Sequence, residues 1–276
     1  MYYRYTQKWV DVFAEEPMMI EIETAHYIKG MHNLVSAHFD LKNYRKFDVT
    51  LNEFEQFAHA DIVSQNHNNK IQVLVYLNIA RINRHFMYGT FTEGLKLVPV
   101  IEGSLKEYSR FMDRHRVLVF YYKIASLYFG SGEYAIAIDY LNKIINWKVD
   151  LRTDLQCYAR LLHLIAHYEL GNFEILEYLT KSVFRFMSKM ENLSIVEEQI
   201  FEFIRNSLRI SPRMLRPAFE KLLENLTRLE QNHTEARAFA YLDIISWLQS
   251  KIRNVPVQDV IREKFLRGSR RVIIND

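Results

Sequence analysis

The stretch Tyr121–Ile145 reads YYKIASLYFGSGEYAIAIDYLNKII. Apolar residues recur every three or four positions on each side of Gly132, with Ile124, Leu127 and Tyr128 before it and Ile138, Leu141 and Ile144 after it. That is the period of an amphipathic helix, not of a strand. Gly132 stands where the first helix has to stop, because glycine enters the left-handed conformation that ends a helix without a Cβ clash. Tyr134 follows two residues later and packs the corner, while Ala125 and Ala137 are small enough to let two helix backbones approach closely. The stretch predicts a helix, a tight corner and a second, antiparallel helix.

The corner recurs along the chain. His38-Phe39 is followed by Lys42 and Tyr44, His85-Phe86 by Gly89 and Phe91, Tyr128-Phe129 by Gly132 and Tyr134, and His167-Tyr168 by Gly171 and Phe173. The copies begin at residues 38, 85, 128 and 167, so they are spaced by 47, 43 and 39 residues. Lys42 makes the first copy the weakest, since a side chain resists the left-handed conformation.

Composition agrees with a chain of long helices. Gly (8) and Pro (5) are scarce in 276 residues, about 5% where about 12% is usual. A β-sandwich or barrel needs a turn signal every ~8 to 12 residues, and a doubly wound α/β fold needs Gly-bearing loops between strand and helix; both are disfavoured. Apolar residues at 49% and charged residues at 25% suit a folded chain with a sizeable core. The most polar interruption, Ser64–Lys70, is too short for a linker, so one elongated array is expected in place of two domains. Ser194 with Glu197 forms a capping-box pattern that opens a helix to about Ile210. Ser211-Pro212 opens another to about Glu230, and Thr234 opens a third whose stripe is Phe239, Leu242, Ile245 and Leu248, closed by Asn254 and Pro256. The expectation is about thirteen helices and no strand; the strand-like runs Val117–Tyr122 and Ile71–Leu77 sit inside longer helical periods.

Ala125, Tyr128, Gly132, Tyr134, Ala137 and Leu141 resemble the signature of the tetratricopeptide repeat. The resemblance spans Glu21 to Met190 and is strongest over residues 121–145. It departs at Leu176 and Thr180, which replace the small and large residues of the pattern, and every spacing exceeds the family's 34 residues. The resemblance implies an all-α, right-handed superhelix (a solenoid) of antiparallel helix pairs. Residues 1–276 then form a single helical-repeat domain, with 21–190 as repeats and 191–276 as divergent or capping helices. Residues 1–16 look like the second half of a hairpin, implying a longer array upstream, or like a lone capping helix.

Residues with catalytic potential do not assemble into a motif. His163 and His167 stand four apart on one helix, a spacing that lets two imidazoles share a metal, but no Glu follows the first. His167 is also the equivalent of His38, His85 and Tyr128, a position that alternates His and Tyr and so reads as packing with a polar tip. His59 and His67 flank a polar loop without Cys partners, and Cys157, alone in the chain, reads as a buried inert thiol. No GxSxG, phosphate-cradling glycine loop or spaced carboxylate pair occurs. The expectation is a non-enzyme without metal or cofactor.

The first helix of each pair lines the concave face in arrays of the resembled family. Stepping back from the corners gives Lys29, His32 and Ser36; Tyr76 and Asn83; Tyr122 and Ser126; Tyr158 and Ile165. Tyr, Asn and Ser suit peptide recognition, with rings for contact area and polar tips for backbone groups; the same face alternatively takes the protein's own C-terminal helices. Family members that bind chaperone tails carry a Lys and Asn clamp, which Lys29 and Asn83 approach without reproducing. With 36 Lys plus Arg scattered among 33 Asp plus Glu, nucleic acid is not the expected partner. No apolar run is long enough to enter a membrane, and the basic stub Arg267–Arg271 reads as solvated. A lone cysteine suits the cytoplasm. The expected role is a protein- or peptide-binding scaffold. The alternatives are a peptide- or signal-responsive regulatory module of a longer protein and a metal-dependent helical enzyme using His163 and His167.

Overall fold

Local capping signals set the order of the elements. The computed structural model describes residues 2–147, 153–190, 194–230 and 243–274, and among them every regular element is helical. In chain order these are α1 (Tyr2–Glu15), α2 (Met18–Ile22), α3 (Thr24–Asp40), α4 (Tyr44–Phe57), α5 (Asp61–Ser64), α6 (His67–Tyr88) and α7 (Phe91–Gly94). One 3-10 turn, Leu95–Leu97, leads on to α8 (Val98–Tyr108), α9 (Arg114–Ser131), α10 (Tyr134–Ile145), α11 (Thr153–Glu169) and α12 (Phe173–Lys189). The last are α13 (Ile195–Ser207), α14 (Pro212–Glu230), α15 (Ile244–Arg253) and α16 (Val257–Ile274). Thirteen helices among the described residues reach ten residues or more. The runs 117–122 and 71–77 lie inside α9 and α6. Thr234, Phe239 and Leu242 lie outside the described residues; α15 begins after Asp243, whose carboxylate accepts from the Ser246 N–H at 2.9 Å. The capping box of Ser194 and Glu197 opens α13.

All four corners close in the same way. Lys42, Gly89, Gly132 and Gly171 take φ of 53°, 64°, 92° and 71°. The next residue sends its N–H back five residues: Asn43 to the His38 carbonyl at 2.9 Å, Thr90 to His85 at 3.1 Å, Glu133 to Tyr128 at 2.8 Å and Asn172 to His167 at 3.1 Å. This is the Schellman bond that satisfies carbonyls left open at a helix end. The donor residue is also the N-cap of the following helix, so one residue ends one helix and starts the next. That economy is why glycine, one residue and an aromatic suffice for the turn. The aromatic then meets the ring of the preceding helix end: Phe86 with Phe91 at 5.4 Å, Phe129 with Tyr134 at 5.3 Å and Tyr168 with Phe173 at 6.1 Å. A fifth corner has the same bonds without glycine or aromatics: Asn254 takes φ 53°, and Val255 donates to the Ser250 carbonyl at 3.1 Å.

The helices group into two compact units, one formed by Met1–Val117 with Phe265–Asp276 and the other by Leu118–Lys264. In the first, α3 packs on α1, α4 and α6, and α4 and α5 pack on α6. Its core includes fully buried Ile28, Phe47, Phe54, Ile82 and Ile101. Phe265 stacks on Tyr88 at 4.2 Å and meets Tyr44 edge-on at 4.9 Å. Gly268 lies so close to Tyr44 that a Cβ would stand 3.0 Å from the ring.

In the second unit each helix from α10 to α15 packs on the next in sequence. Tyr140 of α10 stacks on Tyr128 of α9 at 5.7 Å, and Ala125 and Ala137 are fully buried. Trp247 of α15 sits edge-on to Tyr168 and Phe219, and its Nε1 donates to Glu169 at 2.6 Å. Lys251 pairs with the other oxygen of the same buried carboxylate at 2.8 Å, which ties α15 to the end of α11. No helix among the described residues is long and apolar enough to cross a membrane.

Candidate functional site

Residues of three helices in the first unit form a column of stacked polar rings. His32 of α3 lies flat on Tyr76 of α6, with centroids 3.9 Å apart and planes at 7°. Arg116, at the start of α9, sets its guanidinium 5.0 Å from the Tyr76 centroid, and its Nη2 donates to the phenol oxygen at 3.0 Å. Stacking by His32, and the hydrogen bond and cation–π attraction of Arg116, thus hold the phenol in place. Tyr76 is buried, while His32 and Arg116 are half-buried and keep part of their edges in water. Lys29, one turn before His32, is exposed, and Ser36, one turn after it, is half-buried. The column holds an imidazole and a guanidinium against Tyr76, and Lys29 adds an exposed ammonium one turn from His32. These groups can donate hydrogen bonds to peptide carbonyls or carboxylates.

The remaining stripe residues lie deeper than a contact surface requires. Asn83 on α6 is buried, as are Tyr122 on α9, Tyr158 on α11 and Ile165 on α11. Ser126 is half-buried and its hydroxyl donates to the Tyr122 carbonyl at 2.9 Å, which uses its proton within its own helix. Of the predicted set, Lys29, His32 and Ser126 reach the surface, and Tyr76, Asn83, Tyr122 and Tyr158 serve the interior. The stripe read from spacing covers both the open side of a first helix and the side against its neighbours, so it mixes the two. Arg116 escaped that reading. Its signal is the run Arg114-His115-Arg116 in the first turn of α9, where the helix dipole disfavours cations; a cation there needs another partner, and Tyr76 supplies it.

The histidine pair is built into the corner. His163 and His167 meet edge to face at 4.5 Å. Burial, with smaller effects of His167 and Arg160, pushes His163 down to about 4, and burial also lowers His167. The His167 Nδ1 accepts from Asn172 Nδ2 at 2.9 Å, just as His85 Nδ1 lies 2.8 Å from the Thr90 hydroxyl. The polar tip at this position therefore reaches the residue that caps the next helix. No group of three His, Cys, Asp or Glu that could hold a metal occurs among the described residues. Cys157 is 2% exposed, and burial pushes its thiol up to about 11, so it stays protonated. His59 and His67 are exposed, and the His67 ring meets Phe111 edge-on at 5.1 Å.

A cleft of about 320 Å³ between α4 and α6 is lined by Leu51, Glu55, Arg81, Arg84, His85, Tyr88, Thr90 and Leu97. Its charges neutralise each other, Arg81 pairing with Glu55 at 2.7 Å and Arg84 with Asp48 at 3.1 Å. Tyr88 donates to Asp48, and burial with this carboxylate raises the phenol well above its usual value. No family model matches the chain, and comparison with curated proteins and with solved structures gives no match either.

Proposed function

We propose that the chain is a non-catalytic, protein- or peptide-binding scaffold of tetratricopeptide-like repeats, wound as a right-handed superhelix of helix pairs and working in the cytoplasm. The observation that carries this reading is the equivalence of the four corners at residues 38, 85, 128 and 167, each closed by a left-handed residue and the same backbone bond. A corner that recurs with one backbone geometry is what a repeat array is built from, and such arrays bind partners on their inner face. On that face the exposed Lys29 and the half-buried His32 and Arg116 serve as the contact groups, and the buried Tyr76 holds the column rigid so that little ordering accompanies binding.

Affinity capture from the native host, with the whole chain as bait, tests the reading. A Lys29→Glu, His32→Ala double variant should lose its partners by about tenfold or more in yield while keeping the helical circular dichroism of the parent. Recovery of the same partners in the same yield would overturn the inner-face reading.

A further inference from the structure

The corner joining α13 to α14 carries four arginines, Arg205, Arg209, Arg213 and Arg216, all of them exposed. The two helices pack through Phe203 and Phe219, whose rings lie 4.7 Å apart. Arg205 lies in the last turn of α13, Arg209 in the connecting turn after Ser207, and Arg213 and Arg216 three residues apart at the start of α14, so the chain carries all four at the corner end of the pair.

Their pairing is incomplete. Arg216 reaches Glu220 at 3.1 Å, and Arg209 lies 3.9 Å from Glu177, a carboxylate already bound to Lys181 at 2.8 Å. Arg205 and Arg213 form no ion pair among the described residues, whereas Arg81, Arg84, Arg228 and Arg253 each have a carboxylate at 3.1 Å or less. The first turn of α14 carries no acid to offset Arg213. Like charges so placed repel, and folding gains nothing from them. Met214, 55% exposed, stands among the arginines and adds an adaptable apolar contact.

We propose that this corner is a docking surface for an acidic peptide segment containing an apolar residue. Guanidinium groups bind carboxylates through paired N–H donors, and Met214 takes the apolar side chain. A nucleic acid is the poorer fit, because the formal net charge of the chain is only +3 and following a phosphate backbone needs an extended basic stripe. The surface lies on helices other than those of the His32 column and does not depend on the inner face.

Fluorescence anisotropy with the whole chain tests it, using a fluorescein-labelled peptide of alternating Glu and Leu, its Gln–Leu counterpart, and a labelled single-stranded oligonucleotide of equal charge. The acidic peptide should bind, lose affinity as salt rises, and bind about tenfold or more tightly than the Gln–Leu peptide. An Arg205→Glu, Arg213→Glu variant should weaken binding by about tenfold or more, whereas Arg228→Glu, elsewhere on α14, should not. Arg205→Gln with Arg213→Gln replaces the charge-reversed pair if that variant loses its helical signal. Absence of peptide binding, equal binding by the arginine variant, or tighter binding of the oligonucleotide would overturn the proposal.

Discussion

His38 and His163 are imidazoles that the fold keeps neutral. His38 is 1% exposed, and burial, helped by the charge of Lys46, pushes it down to about 4, the value His163 reaches also. In the unfolded chain both titrate near 6.5. Between those values the unfolded state takes up protons that the folded state refuses, so stability is full above about pH 6.5 and is lost as pH falls toward 4. The loss is about 2 kcal/mol per histidine at pH 5. The melting temperature followed by circular dichroism should therefore be lower at pH 5 than at pH 7, and His163→Gln should flatten the difference; an unchanged melting temperature in the parent would refute the assignment. The use of this position was legible in the alternation of His and Tyr at 38, 85, 128 and 167. What each tip meets was not legible, because Thr90 and Asn172 come into reach only once the corner has folded.

At the scale of elements the corners decide which residue types are tolerated. Lys42 holds φ 53° with a side chain attached, at a cost of about 1 to 2 kcal/mol relative to the right-handed region. Lys42→Gly removes that cost at some expense in unfolded-chain entropy and should raise stability by about 0.5 to 1 kcal/mol. Gly132→Ala should lower it by about 1 to 2 kcal/mol: φ is 92°, and no atom lies within 4 Å of the added Cβ, so the penalty is one of backbone and not of clash. Urea denaturation measures both, and a destabilised Lys42→Gly would contradict the corner geometry. Glycine and aromatic spacing made three corners readable in advance, and the shared pattern with Lys42 in the glycine's place marked the fourth. The fifth, at Asn254, has neither; the sequence marks only a helix end there. The burial of Tyr122 and Asn83 was hidden for a different reason, since it depends on neighbouring helices and not on the period of their own.

For the whole molecule, protection is unevenly spread. α11 buries twelve of its seventeen residues, whereas α2 buries none. Amide exchange should be slowest in α11 and fastest in α2, because opening a helix costs roughly what its burial contributes; comparable rates in the two would count against the packing described. The helical character of Val117–Tyr122 and Ile71–Leu77 was legible in the longer periods around them, and both runs lie inside helices, α9 and α6. The division into two units was not announced, because it falls inside helices, between Val117 and Leu118 and between Lys264 and Phe265, where composition does not change. The meeting of Phe265 with Tyr44 and Tyr88 is likewise a long-range event that no local pattern encodes.

The state of Cys157 has a practical consequence. The chain holds one cysteine, and that thiol is 2% exposed and protonated at neutral pH, so thiol-reactive dyes leave it untouched in the native protein. A cysteine introduced at Lys29 or at Met214 then becomes the sole reactive handle. A single fluorophore can be installed beside either candidate surface on an otherwise natural sequence.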